Sequence, residues 1–158
     1  MPAGSLRRRS AAILAVVAAL ALVATGCSSD DEGDGGEGGS TVAITLQEFA
    51  VIPAPASTAA GDVTFEVSNV GPDDPHEFVI FQSDLAPDAL PTVEDGSVDE
   101  EGEGLTLVDE IEDIAVGDAP TLTVNLEAGN YVLICNIYEE SEAESHYQEG
   151  MRVAFTVE

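Results

Sequence analysis

The sequence predicts an all-β fold for residues 41–158, an antiparallel Greek-key sandwich or barrel. Three observations carry that expectation. Apolar residues recur at every second position within short segments, those segments are rich in β-branched residues, and Gly, Pro and Asn turns separate them. No long stretch has the 3.6-residue period of an amphipathic helix. In order along the chain, Val42, Ile44 and Leu46 alternate with Thr41, Ala43, Thr45 and Gln47, and Val63, Phe65 and Val67 repeat the pattern. Asn69-Val70-Gly71-Pro72 then reads as a turn, and His76 to Phe81 is a mostly apolar run. Leu122, Val124 and Leu126 alternate again before the turn Glu127-Ala128-Gly129-Asn130. Tyr131 to Cys135 is continuously apolar, and Val153, Phe155 and Val157 close the chain.

The pattern weakens between Ser83 and Asp118. Asp84 to Pro91 could hold a turn of helix, Glu94 to Gly104 reads as a solvated acidic insertion, and Leu105 to Val108 as a short strand. No internal repeat and no phosphate-cradling glycine motif is present.

Ahead of this domain lie two segments of different character. Residues 1–27 read as a lipoprotein signal peptide. Arg7-Arg8-Arg9 gives a positive start, and Ala11 to Ala24 an apolar stretch short of the roughly 20 residues a spanning helix needs. Val23-Ala24-Thr25-Gly26-Cys27 then resembles a bacterial lipobox, in which Cys27 is lipidated and becomes the mature N-terminus. An ordinary cleaved signal or an uncleaved anchor is the other reading, and the arginine cluster is compatible with export by either the Sec or the twin-arginine route. Residues 28–40, SSDDEGDGGEGGS, carry no apolar side chain to bury. Their glycines and like charges make an acidic, Gly-rich linker suited to hold a domain away from a membrane. The acids lack the spacing of an EF-hand calcium loop.

The charge balance excludes one class of function. The chain has 31 Asp and Glu against 4 arginines and no lysine, and three of those arginines lie in the leader. A mature surface with Arg152 as its single fixed cation repels phosphate backbones, so nucleic-acid binding is excluded. It suits a partner with a basic docking face instead. Hydrophobic content of 44% excludes a disordered acidic polymer.

Cysteine usage points toward metal chemistry. With Cys27 committed to lipid, Cys135 stands alone in an oxidising compartment, where a structural cysteine would have a partner. The mature chain then holds one cysteine, Cys135, two histidines, His76 and His146, and one methionine, Met151. Two His, one Cys and one Met form the donor set of a blue-copper site, a trigonal His₂Cys plane with a weak axial Met. Cys135, His146 and Met151 follow one another near the C-terminus, while His76 opens an upstream apolar run. Strand phase puts Cys135 in the row of Tyr131 and Leu133, Met151 with Val153, Phe155 and Val157, and His76 with Phe78 and Ile80. Each donor can therefore end an inward-facing row. Taken singly, each also has a plain structural reading: a capped histidine, a small buried thiol, a core methionine, a surface histidine.

The segments Pro75-His76-Glu77-Phe78, Gly129 to Asn136 and His146-Tyr147-Gln148-Glu149-Gly150-Met151 resemble the cupredoxins, the family of plastocyanin, azurin, rusticyanin and sulfocyanin. The resemblance covers most of residues 41–158. It implies one type 1 copper ion with His76, Cys135 and His146 as equatorial ligands and Met151 as the axial one. Two departures stand out: the Cys135–His146 loop is longer than in plastocyanins and azurins and carries four glutamates, and Glu77 stands where Asn is frequent.

The expected function is that of an extracytoplasmic electron carrier, not an enzyme, cycling Cu(II)/Cu(I) and anchored to the cell membrane through Cys27. Its partner would be a redox protein with a basic face, such as a cytochrome or oxidase subunit. His146, on its polar loop, is expected to be partly exposed and to pass the electron. A copper-delivery lipoprotein without steady electron flow and a metal-free sandwich interaction module are the alternatives.

Overall fold

A computed structural model describes residues 39–158. The leader, the lipidation site Cys27 and the linker as far as residue 38 lie outside the described residues. The elements, in chain order, are β1 (Ser40–Gln47), β2 (Ala50–Ala54), β3 (Ser57–Thr58), β4 (Gly61–Asn69), β5 (His76–Gln82), β6 (Thr106–Ile114), β7 (Thr121–Leu126), β8 (Gly129–Ile134), β9 (Tyr138–Glu139), β10 (Glu144–Ser145), α1 (His146–Glu149) and β11 (Arg152–Val157). One sheet has the order β2-β1-β4-β7 and the other β3-β11-β8-β5-β6, with β9 and β10 as a separate short hairpin. Most ladders are antiparallel; β1–β4 and β3–β11 run parallel. The protein is an all-β sandwich.

The alternating rows behave as the period-2 pattern requires. Val42, Ile44 and Leu46 from β1, Val63, Phe65 and Val67 from β4, Phe78 and Ile80 from β5, Tyr131 and Leu133 from β8 and Phe155 and Val157 from β11 meet in one core between the sheets. Phe65 sits at its centre, with ring centroids 5.4 Å from Phe78 and 5.8 Å from Phe155. The tilted and edge-on arrangements add to the area these rings bury. Pro53 pairs with Ile44 from β2, an edge strand, where a missing N–H costs no ladder bond on the open side.

A second core lies on the other face of the five-stranded sheet. Val79 and Phe81 of β5 and Val132 and Ile134 of β8 face Leu90, Val98 and Tyr147, with Leu85 and Leu105 packed against them. Residues 83–105 therefore form a strap over the sheet, and this corrects the reading of Glu94 to Gly104 as a solvated insertion, since Val98 within it is buried in this core. The strap's carboxylates other than Glu100 are exposed, but its scattered apolar residues cover the outward rows of two strands that are buried on both sides. No helical turn forms over Asp84 to Pro91. β6 extends well past Val108, to Ile114. Among the described residues, no helix is long and apolar enough to cross a membrane.

Candidate metal centre

The candidate donors gather at one end of the sandwich, where β5 begins and β8 ends. His76 is the first residue of β5, held by the turn that precedes it. The buried Asn69 side chain donates to the Asp74 carbonyl and to the Ile114 carbonyl, each at 2.9 Å, and accepts from the Gly71 N–H at 2.8 Å. Gly71 has φ +68°, and a Cβ there would meet Val116 Cγ1 at 2.8 Å, so the turn needs glycine on both counts.

Cys135 follows the last residue of β8. Its Sγ accepts from the Glu77 N–H at 3.2 Å. Its own N–H donates to the Met151 carbonyl at 3.0 Å, and the Met151 N–H donates to the His146 carbonyl at 3.0 Å.

His146 opens α1, a single turn. Ser145 caps it by accepting the Gln148 N–H at 3.4 Å, and Gly150 ends it at φ +127° with its N–H bonded back into the turn. The Arg152 guanidinium donates to the carbonyls of Tyr147 and Gln148 and stacks 4.9 Å over the Tyr147 ring. That charge complements the carbonyl end of the turn.

Three of the expected donors converge. His76 Nδ1 and His146 Nδ1 are 3.3 Å apart, and Cys135 Sγ lies 3.9 Å from the first and 3.4 Å from the second. All three residues are fully buried. Met151, also fully buried, shares their core, and its backbone bonds join it to both Cys135 and His146. Cys135 is the free cysteine among the described residues.

Burial pushes the Cys135 thiol up to about 12; the N–H groups of Glu77 and Ile137 pull it down, and the Glu77 carboxylate pushes it up. His76 is held below the ordinary histidine value by burial first and then by His146, against the carboxylates of Glu48 and Asp74. Two imidazoles facing a soft sulfur in a buried pocket fit a single type 1 copper ion: two nitrogen donors and one sulfur donor, with no hard oxygen donor among the three.

His146 differs from the expectation. It was expected to be partly exposed, but it is fully buried. Phe49, in the turn between β1 and β2, lies edge-on to the imidazole with centroids 5.4 Å apart. The strap closes the other side. The Tyr147 hydroxyl donates to the Pro87 carbonyl at 2.8 Å and accepts the Leu90 N–H at 3.1 Å. The Gly96 carbonyl accepts from Ser145 Oγ at 3.0 Å and from Gln148 Nε2 at 3.1 Å. Next to Cys135, the Asn136 amide accepts the Val98 N–H at 2.6 Å and donates to the Val98 carbonyl at 3.2 Å and to Glu100 at 3.0 Å.

Glu77 turns away from the three donors and joins a separate carboxylate group with Glu100 and Glu110. Burial, then Glu110, Glu100 and Glu112, push its carboxyl up to about 7, while the Asn136 N–H pulls it down. Asn69, Glu48, Phe49, Asn136 and Tyr147 support the centre and were not singled out from sequence. Asn69 heads an Asn-x-Gly turn and Asn136 and Tyr147 lie in the segments that resemble the cupredoxins, whereas Glu48 and Phe49 carried no local signal.

No protein-family model matches the chain, and no curated protein does. Solved structures do. The chain is similar to reduced auracyanin from the photosynthetic bacterium Roseiflexus castenholzii, at 21% identity and a TM-score of 0.51, over 77% of this chain and 99% of that one. It is also similar to auracyanin A, a "blue" copper protein from the green thermophilic photosynthetic bacterium Chloroflexus aurantiacus, at 18% identity and a TM-score of 0.51, over 77% of this chain and 100% of that one. The sandwich is a cupredoxin fold.

Proposed function

We propose that this chain is a type 1 copper protein and that it serves as an electron carrier, in which His76, Cys135, His146 and Met151 would hold the ion. The convergence of two imidazole Nδ1 atoms and one thiol sulfur in a fully buried pocket carries the reading. Copper held there supplies a one-electron couple between Cu(II) and Cu(I). The residues do the rest. Cys135, as thiolate, is the strong donor, and the Glu77 N–H takes up part of its negative charge. The apolar core around Met151 and Phe49 keeps water from the donors, which favours the lower charge state. The strap bonds to Asn136, Ser145, Tyr147 and Gln148 hold the ligand loop, so little rearranges when an electron arrives or leaves.

Four protein donors leave no position for a substrate, so the role is that of a carrier and not an enzyme. Its place is outside the cytoplasm, tethered by lipid on Cys27 through the acidic linker, as the leader pattern supports. The 31 carboxylates favour a redox partner with a basic face and an association that weakens with salt.

The test is an absorption and EPR spectrum of the copper-loaded protein beside its Cys135→Ser variant. An intense thiolate-to-copper band in the parent, absent from the variant, is expected. A colourless, oxidised, copper-treated parent would sink the assignment.

A further inference from the structure

The turn between β1 and β2 reaches over the metal centre, and its acidic residue sits against the first histidine. Glu48 Oε1 accepts the N–H groups of Asp73 at 3.2 Å and Asp74 at 2.8 Å, which pins the carboxylate over the turn that leads into His76. The same oxygen lies 3.7 Å from His76 Nε2. Among the described residues, His76 Nε2, Glu48 Oε2 and His146 Nε2 are buried without a hydrogen-bond partner, and the first two lie at this contact. One can donate and the other can only accept, and they belong to neighbouring side chains. A buried N–H left unmade costs about 1–3 kcal/mol, so a small approach that pairs them is favoured. The other ring nitrogen, Nδ1, faces His146 Nδ1 and Cys135 Sγ.

We infer that Glu48 is the positioning residue for His76: its carboxylate takes the Nε2 proton's hydrogen bond, which leaves Nδ1 as the lone pair turned toward Cys135 and the metal. The inference rests on the copper reading above. It uses the general arrangement in which a carboxylate orients a metal-bound imidazole through its far nitrogen. The other groups facing His76 do not compete for this role. Asp74 acts on it only through its charge, and His146 presents the nitrogen it shares with the metal side. Asn69, on the element beneath, spends its amide on the Asp74 and Ile114 carbonyls.

The experiment compares the parent with Glu48→Ala and Glu48→Gln in two measurements on the full protein. The first is copper(II) affinity by competition against a chelator of known strength. Glu48→Ala is expected to lose about 10–100-fold, the range typical of outer-shell partners, while Glu48→Gln, whose amide oxygen can still accept from Nε2–H, stays within a few-fold. An alanine variant that binds as tightly as the parent overturns the assignment. The second covers the case in which the alanine variant does not fold. In nitrogen-resolved NMR of the copper(I)-loaded protein, the His76 Nε2–H proton should move upfield in Glu48→Gln, because an amide accepts more weakly than a carboxylate. A proton that does not move, or a His76 protonated at Nδ1, overturns it too. A parent lacking the thiolate-to-copper band would refute the copper reading itself; a parent with the band and unmoved variants refutes Glu48 alone.

Discussion

The strap is predicted to brace the ligand loop, and Tyr147→Phe tests that with the loss of one atom. Tyr147 is 2% exposed, and its ring packs among Val79, Phe81, Leu90, Val98, Val132 and Ile134. Phenylalanine keeps that packing and keeps the ring under Arg152. What goes is the hydroxyl that accepts the Leu90 N–H and donates to the Pro87 carbonyl. Pro87 is half-buried, so its carbonyl can turn to water, whereas Leu90 is buried and its N–H would be stranded. One stranded buried donor costs about 1–3 kcal/mol, and the lost bond at Pro87 adds a few tenths, for a sum of about 2 kcal/mol. For a domain of this size that lowers the melting midpoint by about 6–10 °C. Urea unfolding of the metal-free protein reads the difference directly. Glu103→Gln, on the exposed side of the same strap, serves as the control and should stay within about 0.5 kcal/mol. If Tyr147→Phe also stays within that range, the strap is not holding the loop and the reasoning fails.

Asn136→Ala removes the amide that bonds Val98 in both directions and reaches Glu100, so a loss of about 1–3 kcal/mol in metal-free stability is expected by the same unfolding assay. Arg152→Met takes away the charge at the carbonyl end of α1 and its contact with the Tyr147 ring. Melting should show a loss of about 1–2 kcal/mol that shrinks as salt is added. Copper binding must displace the proton that burial holds on Cys135, whose value is pushed up to about 12, while His76 is already neutral near pH 7 because its value is lowered. Apparent copper affinity should therefore rise about tenfold per pH unit across the neutral range, read by chelator competition at several pH values. A slope of zero would mean the thiol is not a ligand.

Much of the fold could be read from period-2 rows, because each row reports one face of one strand. Tyr131, Leu133 and Cys135 share a core with Phe78, Ile80 and Phe155, as their parity required. The other parity was also written in the chain. Val79, Phe81, Val132 and Ile134 make their runs continuously apolar, which implies a second cover. The cover itself was not legible, since Leu85, Leu90, Val98 and Leu105 follow no period and stand among carboxylates. β6 escaped in part because its register against β5 shifts, which breaks the alternation between Thr106 and Ile114. β2 was hidden by Pro53, a residue that argues against a strand except at an edge. The site follows the same division. The donor inventory needs only composition and order, whereas the burial of His146 depends on Phe49, nearly a hundred residues upstream, and no local pattern around a Ser-His-Tyr-Gln stretch could announce it.

The second core explains why the sulfur can sit where it does. A strand covered on one face leaves its end open to water from the other side, and a thiolate there would be solvated and exchangeable. β8 is covered on both faces, by the sandwich core through Tyr131 and Leu133 and by the strap through Val132 and Ile134, so the chain delivers Cys135 into a pocket dry from either side. The strap then bonds to the residue after Cys135, through Val98 and Asn136, and to the residue after His146, through Leu90 and Tyr147. It therefore acts on both flanks of the ligand loop at once. A loop ten residues long between its cysteine and its histidine would cost entropy to order at each metal-binding event if it were free. Here the strap's bonds to both flanks bear that cost in folding the sandwich.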